Sequence, residues 1–117
     1  MAVAESPSPS ARSAVVTGAG AGIGRATSLA LADRGWFVVG VELDPEAAAA
    51  LEDELGDRGA VVIADVTDHE ALELAARRAA AAAPLAGWVN NAGLCPRGTT
   101  VRESDLELVR RVWAALT

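Results

Sequence analysis

Residues 13–24 read Ser13-Ala14-Val15-Val16-Thr17-Gly18-Ala19-Gly20-Ala21-Gly22-Ile23-Gly24, and this stretch decides the fold. Residues 13–17 are a short β-branched run followed at once by glycines, which predicts a strand and a tight turn. Residues 23–34 place Ile23, Ala26, Leu29 and Ala30 on one face, which predicts a helix, and Gly35 suits the position just past its end. The glycine spacing is T-G-x-x-x-G-x-G, with Gly20 as an additional glycine. Residues without a Cβ let backbone approach a pyrophosphate closely. The N-terminus of the following helix then offers free N–H groups and a partial positive charge. Gly24 lets that helix pack tightly on the strands. Spaced glycines also occur in merely flexible loops, but a strand–turn–helix context is the one that an anion-binding turn demands.

Working outward, Trp36–Val41 is a continuous apolar run, as in a strand covered on both faces. Asp44-Pro45 supplies an N-cap and a first helical residue for a helix that runs to about Leu55 and stops near Gly56. Ala60–Ala64 predicts a third strand. Thr67-x-x-Glu70 has the capping-box spacing and opens an alanine-rich helix from about Asp68 to Ala82, which Pro84 ends. Leu85–Val89 predicts a fourth strand, and Asn90–Arg102 reads as loop. Ser104-x-x-Glu107 is a second capping box, before a helix with Leu106, Val109, Trp113 and Leu116 at helical spacing. This β-α alternation predicts an α/β fold: a Rossmann-type parallel sheet with helices on both faces. Its four strands would be ordered 3-2-1-4, an incomplete wind whose apolar fourth strand stands at an edge.

Glu42 ends the second strand, 42 − 24 = 18 residues past Gly24. An acid about 20 residues beyond the glycines is where a dinucleotide's adenosine ribose is read. A carboxylate there accepts bonds from the 2′-OH and repels a 2′-phosphate, which selects NAD over NADP. No arginine or lysine stands at Ala21 or just after Glu42 to receive that phosphate. The plainer alternative is a solvated strand end. Asp44 is a rival for the ribose, but its place before Pro45 assigns it to the helix cap.

The chain has 117 residues, enough for one small domain, and is 51% hydrophobic, which argues against global disorder. Its net charge of -6 argues against nucleic acid as a partner, since neutralising phosphates requires a basic face. No apolar run reaches the length of a membrane span. Cys95 is the only cysteine, so no intrachain disulfide can form, and a reducing, cytoplasmic setting is the expectation. Residues 1–12 lack the apolar core of a signal peptide and read as a disordered leader. His69 has no Cys or His at ligand spacing, and Cys95 has no visible base. No metal site or nucleophile is assigned to either. Arg77-Arg78 and Arg110-Arg111 read as helix surface charge.

Three motifs together resemble the short-chain dehydrogenase/reductase family of the classical type. They are Thr17-Gly18-x-x-x-Gly22-Ile23-Gly24, Asp65-Val66 after the third strand, and Asn90-Asn91-Ala92-Gly93 after the fourth. The resemblance runs from about residue 13 to 117. It implies a nicotinamide dinucleotide held by Gly18, Ala21, Gly22, Ile23 and Gly24 at the phosphates and by Glu42 at the ribose. It implies Asp65 and Val66 at the adenine, and Asn90, Asn91, Ala92 and Gly93 along the cofactor ribose and the sheet edge. Taken singly, Asp65 could cap a helix, and Asn90 and Asn91 could be ordinary turn residues.

Members of that family transfer hydride between the nicotinamide and a carbonyl or alcohol carbon. They use a tyrosine acid/base, a lysine four residues on, a serine and an asparagine. This chain has no tyrosine, and all ten of its basic residues are arginines, so a Tyr-x-x-x-Lys pair is absent by count. Ala115 stands where the asparagine is usual, and Ala86 where an aspartate is common. The expectation is therefore the N-terminal, cofactor-binding part of an NAD(H)-dependent oxidoreductase, a fragment inactive alone, whose complete form is a homo-oligomer. The competing reading is a non-catalytic NAD(H)-binding module or subunit-pairing protein.

Overall fold

The computed structural model describes residues 12–92. The elements in chain order are β1 (Ser13–Thr17), α1 (Gly22–Asp33), β2 (Phe37–Glu42), α2 (Pro45–Leu55), β3 (Gly59–Ile63), α3 (His69–Ala82) and β4 (Leu85–Val89), with a single 3-10 turn, Gly56–Arg58, between α2 and β3. The four strands are all parallel and ordered β3-β2-β1-β4. The 3-2-1-4 order expected of a nucleotide-binding wind is the one found. The helix expected from Ser104, with its apolar stripe, lies outside the described residues, as does Gly93.

Alternation along the strands builds a core on each face of the sheet, because successive side chains point to opposite sides. Val16, Val38 and Val61 face Ala32 of α1 and Ala48, Leu51 and Leu55 of α2. Val15, Val39, Val41 and Val62 face Ala75 and Ala79 of α3. The unbroken Val38–Val41 run is buried throughout, as a strand covered on both sides must be.

Two local expectations are corrected. The buried face of α1 is Gly24, Ser28 and Ala32, and Ile23 is 76% exposed, with Ala26 and Ala30 also turned outward. Small residues win this face because α1 lies so close to the end of β1. A Cβ on Gly24 would stand 2.1 Å from the carbonyl oxygen of Gly18. Ser28 satisfies its buried hydroxyl by donating to the Gly24 carbonyl at 2.8 Å. The cap of α3 is Asp68, not Thr67. The Asp68 Oδ1 accepts from the amides of Glu70 and Ala71, while the Thr67 amide is engaged by Asp65.

The start of the sheet is tied down from Arg12 onward. The Arg12 carbonyl accepts from Phe37 N, and its guanidinium lies 5.7 Å from the centre of the Trp36 ring. At β4 the register slips by one residue, since Ser13 pairs with Leu85 but Ala14 with Gly87. The Trp36 ring closes over Gly87, where a Cβ would come within 3.2 Å of it.

Candidate functional site

All the sequence-derived site residues that fall among those described lie at one edge of the molecule, beyond the C-terminal ends of the parallel strands. In an open α/β sheet this is where ligands bind. The loops there are fastened to one another by backbone. Ala19 N donates to the Val41 carbonyl at 3.2 Å, and Ala64 N donates to the Glu42 carbonyl at 3.1 Å.

The glycine turn divides its labour. Gly18 and Gly22 hold φ values of +61 and +56, a region that L side chains rarely occupy. A Cβ on Gly18 would also strike the Ala92 backbone at 2.8 Å, whereas Gly22 has nothing within 4 Å of that position. Gly22 therefore faces open space at the first residue of α1. The preceding residue, Ala21, is extended and has no side chain able to cap. The amides of Gly22, Ile23 and Gly24 belong to the first turn, which has no intrahelical acceptors.

Glu42 is not a loose strand end. Its Oε1 accepts from Gly20 N at 2.7 Å and its Oε2 from Asp44 N at 2.9 Å. Two backbone amides thus fix the plane of the carboxylate beside the glycine turn, and each oxygen keeps a free lone pair for a hydroxyl. Asp44 meanwhile caps α2 by accepting from Glu46 N at 3.1 Å, the role its place before Pro45 indicates. Leu43, between the two acids, is 61% exposed at this edge, and Ile63, paired with Glu42 across the sheet, is also exposed.

Asp65 is exposed and accepts from Thr67 N at 3.0 Å. The backbone and side-chain hydrogen bonds from Thr67 hold its carboxyl below the usual aspartate range. It closes a turn before α3 and does not cap the helix. Val66 is half-buried against the core beneath α3.

After β4, Asn91 donates from Nδ2 to the Gly18 carbonyl at 3.1 Å, which locks the glycine turn to the end of the strand beside β1. Asn90 accepts the Trp88 indole N–H at 2.8 Å. Thr17 does more than its place in the motif suggests. Its hydroxyl accepts from the amides of Asn91 at 3.0 Å and Ala92 at 3.1 Å, and donates to the Val89 carbonyl at 3.4 Å. Thr17 and Gly20 join the site residues through these contacts, and Leu43 through its exposure at this edge. The only signal for the first two was their membership of the motif.

The fit to a dinucleotide is good on chemical grounds. An uncapped helix N-terminus beside an unobstructed glycine suits a pyrophosphate. A carboxylate pinned one loop away suits a ribose diol. Among the described residues no three His, Cys, Asp or Glu side chains are grouped to hold a metal ion, and no helix is long and apolar enough to cross a membrane.

Comparison with known proteins agrees with this geometry. The family model for short chain dehydrogenase matches residues 12–115. A 3-oxoacyl-[acyl-carrier-protein] reductase FabG of Haemophilus influenzae is 36% identical over 95 residues, which cover 80% of this chain and 39% of that protein. A galactitol 2-dehydrogenase (L-tagatose-forming) of Cereibacter sphaeroides is 42% identical over 102 residues, covering 86% of this chain and 40% of that protein. The crystal structure of a 3-ketoacyl-(acyl-carrier-protein) reductase from Brucella melitensis complexed with NADH superposes with a TM-score of 0.80 at 28% identity, over 92% of this chain and 45% of that one. The chain thus spans less than half the length of these relatives. With its strand order, its glycine turn and this match along most of its length, the chain belongs to the short chain dehydrogenase family.

Proposed function

We propose that this chain supplies the cofactor half of an NAD(H)-dependent oxidoreductase acting on an alcohol or carbonyl, with residues 13–117, joined by Arg12 through its bond from Phe37 N, as the N-terminal part of its dinucleotide-binding domain and the residues before Arg12 as a leader. The observation that carries this reading is the pairing of an uncapped α1 N-terminus with a Glu42 carboxylate held by two amides beside it. In this reading Gly18, Ala21, Gly22, Ile23 and Gly24 form the phosphate cradle. Glu42 accepts from the ribose hydroxyls, Asp65 and Val66 border the adenine, and Asn90, Asn91, Ala92 and Gly93 line the route toward the nicotinamide. When bound, the nicotinamide supplies hydride transfer.

The chain's own residues bind and orient the dinucleotide; the proton transfer that accompanies hydride transfer needs a donor within hydrogen-bond reach of the reacting oxygen. With no tyrosine and no lysine in these 117 residues, that donor comes from elsewhere in the complete protein. The two enzymes that resemble this chain at 36% and 42% identity are named for unlike substrates, in keeping with a shared cofactor half. NAD is preferred because a fixed carboxylate repels a 2′-phosphate and Ala21 offers that phosphate no cation. A cytoplasmic setting and a homo-oligomeric whole protein belong to the same reading.

Titration of the chain with NADH and NADPH tests it. NADH binds more tightly, and Glu42→Ala erases most of the difference. An unchanged preference in that variant would show that another residue reads the ribose. The same lack of tyrosine and lysine favours a second reading, a non-catalytic NAD(H)-binding or subunit-pairing module. Both readings expect no turnover from the chain alone. They separate on whether NAD-dependent turnover appears when the remainder of the domain is supplied.

A further inference from the structure

Gly20 is the one glycine of the turn that neither a positive φ nor the packing of α1 against the end of β1 explains. It is absent from the positive-φ glycines, which are Gly18, Gly22, Gly35 and Gly56, so its backbone does not demand glycine. Its surroundings would not. A Cβ at Gly20 would stand 2.7 Å from the Cγ of Glu42, 2.7 Å from its Oε1 and 2.7 Å from the Cβ of Ala47. Separations this short lie well inside van der Waals contact. The Glu42 atoms can swing aside, but the Ala47 methyl is fixed to the first turn of α2 and has no torsion with which to move. The bare Cα of Gly20 is also what lets its own amide reach Oε1 at 2.7 Å, one of the two bonds that orient the carboxylate.

We propose that Gly20 is a positioning residue for cofactor selectivity: by lacking a side chain it seats the Glu42 carboxylate against the glycine turn and so sets the preference for a free 2′-hydroxyl over a 2′-phosphate. This inference rests on the reading of Glu42 as the ribose acid and goes beyond it, because it assigns the acid's aim to a residue in a different loop. A methyl at position 20 does two things together. It displaces the carboxylate from the Gly20 amide, and it leaves Asp44 N as the only backbone donor holding it. The cradle amides of Gly22, Ile23 and Gly24 are on the other side of Ala21 and keep their geometry.

The test is a double-mutant cycle on the full chain, read as the ratio of NADPH to NADH dissociation constants. Gly20→Ala lowers that ratio about tenfold, the scale of one charge-assisted hydrogen bond. Glu42→Ala lowers it by at least as much, and the Gly20→Ala/Glu42→Ala pair adds nothing further. A merely structural role would weaken both dinucleotides alike and leave the ratio unmoved, and that result overturns the proposal while the ribose reading stands. If Glu42→Ala leaves the ratio unchanged, the ribose reading fails and takes this inference with it. Should Gly20→Ala not fold, Gly20→Ala/Ala47→Gly relieves the clash with α2 and retains the clash with Glu42. The ratio falls in that variant too, and an unmoved ratio there also overturns the proposal.

Discussion

The N-terminus of α1 and those of α2 and α3 solve the same problem in opposite ways. Each helix begins with amides that have no intrahelical partner. At α2 the Asp44 carboxylate accepts from Glu46 N, and at α3 the Asp68 carboxylate accepts from Glu70 N and Ala71 N. At α1 the equivalent residue is Ala21, whose backbone is extended as a cap's should be but whose side chain offers no oxygen. Capping is worth about 1 kcal/mol, so α1 forgoes stability that its neighbours take. Amides left open at the edge where three loops converge, beside a glycine with clear space around it, are available to an anion from outside.

The comparison can be broken most forcefully at Gly24. Gly24→Ala drives a Cβ into the Gly18 carbonyl and the Asn91 amide, at 2.1 and 2.5 Å. Overpacking against backbone that cannot yield should cost about 3 kcal/mol in urea unfolding. A loss below about 1 kcal/mol would mean that α1 lifts off the turn without penalty. Next in size is Ala21→Asp, which gives α1 the cap it lacks. The unliganded chain should gain about 1 kcal/mol, while NADH affinity falls about tenfold because a carboxylate now occupies the anion's place. Unaltered NADH affinity in that variant would place the phosphates elsewhere.

The capped helices supply the control. Asp68→Ala should lower stability by about 1 kcal/mol with no change in NADH affinity, as measured by denaturation and titration of the same preparation. The smallest effect concerns Asp65. Its pKa is depressed in the folded state by Thr67, so its contribution is present above the unfolded value, about pH 4, and is lost as the pH falls through the folded value. The group is exposed and screened, so the loss is about 0.3 kcal/mol. Comparing urea midpoints at pH 5 and pH 3, Asp65→Asn should show a shallower decline than the parent chain. Equal slopes would mean that the Thr67 bonds leave no mark on stability.

The elements were legible in the sequence because they rest on local signals, β-branched runs, glycine after strands and proline or aspartate before helices, and their order followed only once the glycine turn marked a nucleotide-binding wind. The cap of α2 was legible for the same reason. What the sequence hid were contacts between distant segments. Apolar periodicity nominated Ile23 for the buried face of α1, but packing against the Gly18 carbonyl demanded Gly24, Ser28 and Ala32, whose small size carries no hydrophobic signal. Thr67 had the spacing of a capping box, yet Asp68, the next residue along, is the one that caps α3 once Asp65 has taken the Thr67 amide. Glu42 was found by its distance from the glycines, but its two amide bonds depend on how its side chain meets another loop, which no spacing rule describes.

The Thr17 hydroxyl has a kinetic consequence. Its two accepted bonds join residues 74 and 75 positions apart, because the last strand of the described sheet docks beside the first. Contacts of such long range form only after the intervening chain has been gathered, and their loop-closure entropy makes them slow. The bend at Gly18 is held in place from that side by Asn91, so it cannot be finished while β4 is still adrift. During refolding, helical content should therefore recover before the ability to take up a dinucleotide, and competence for the ligand marks the closing moment of assembly.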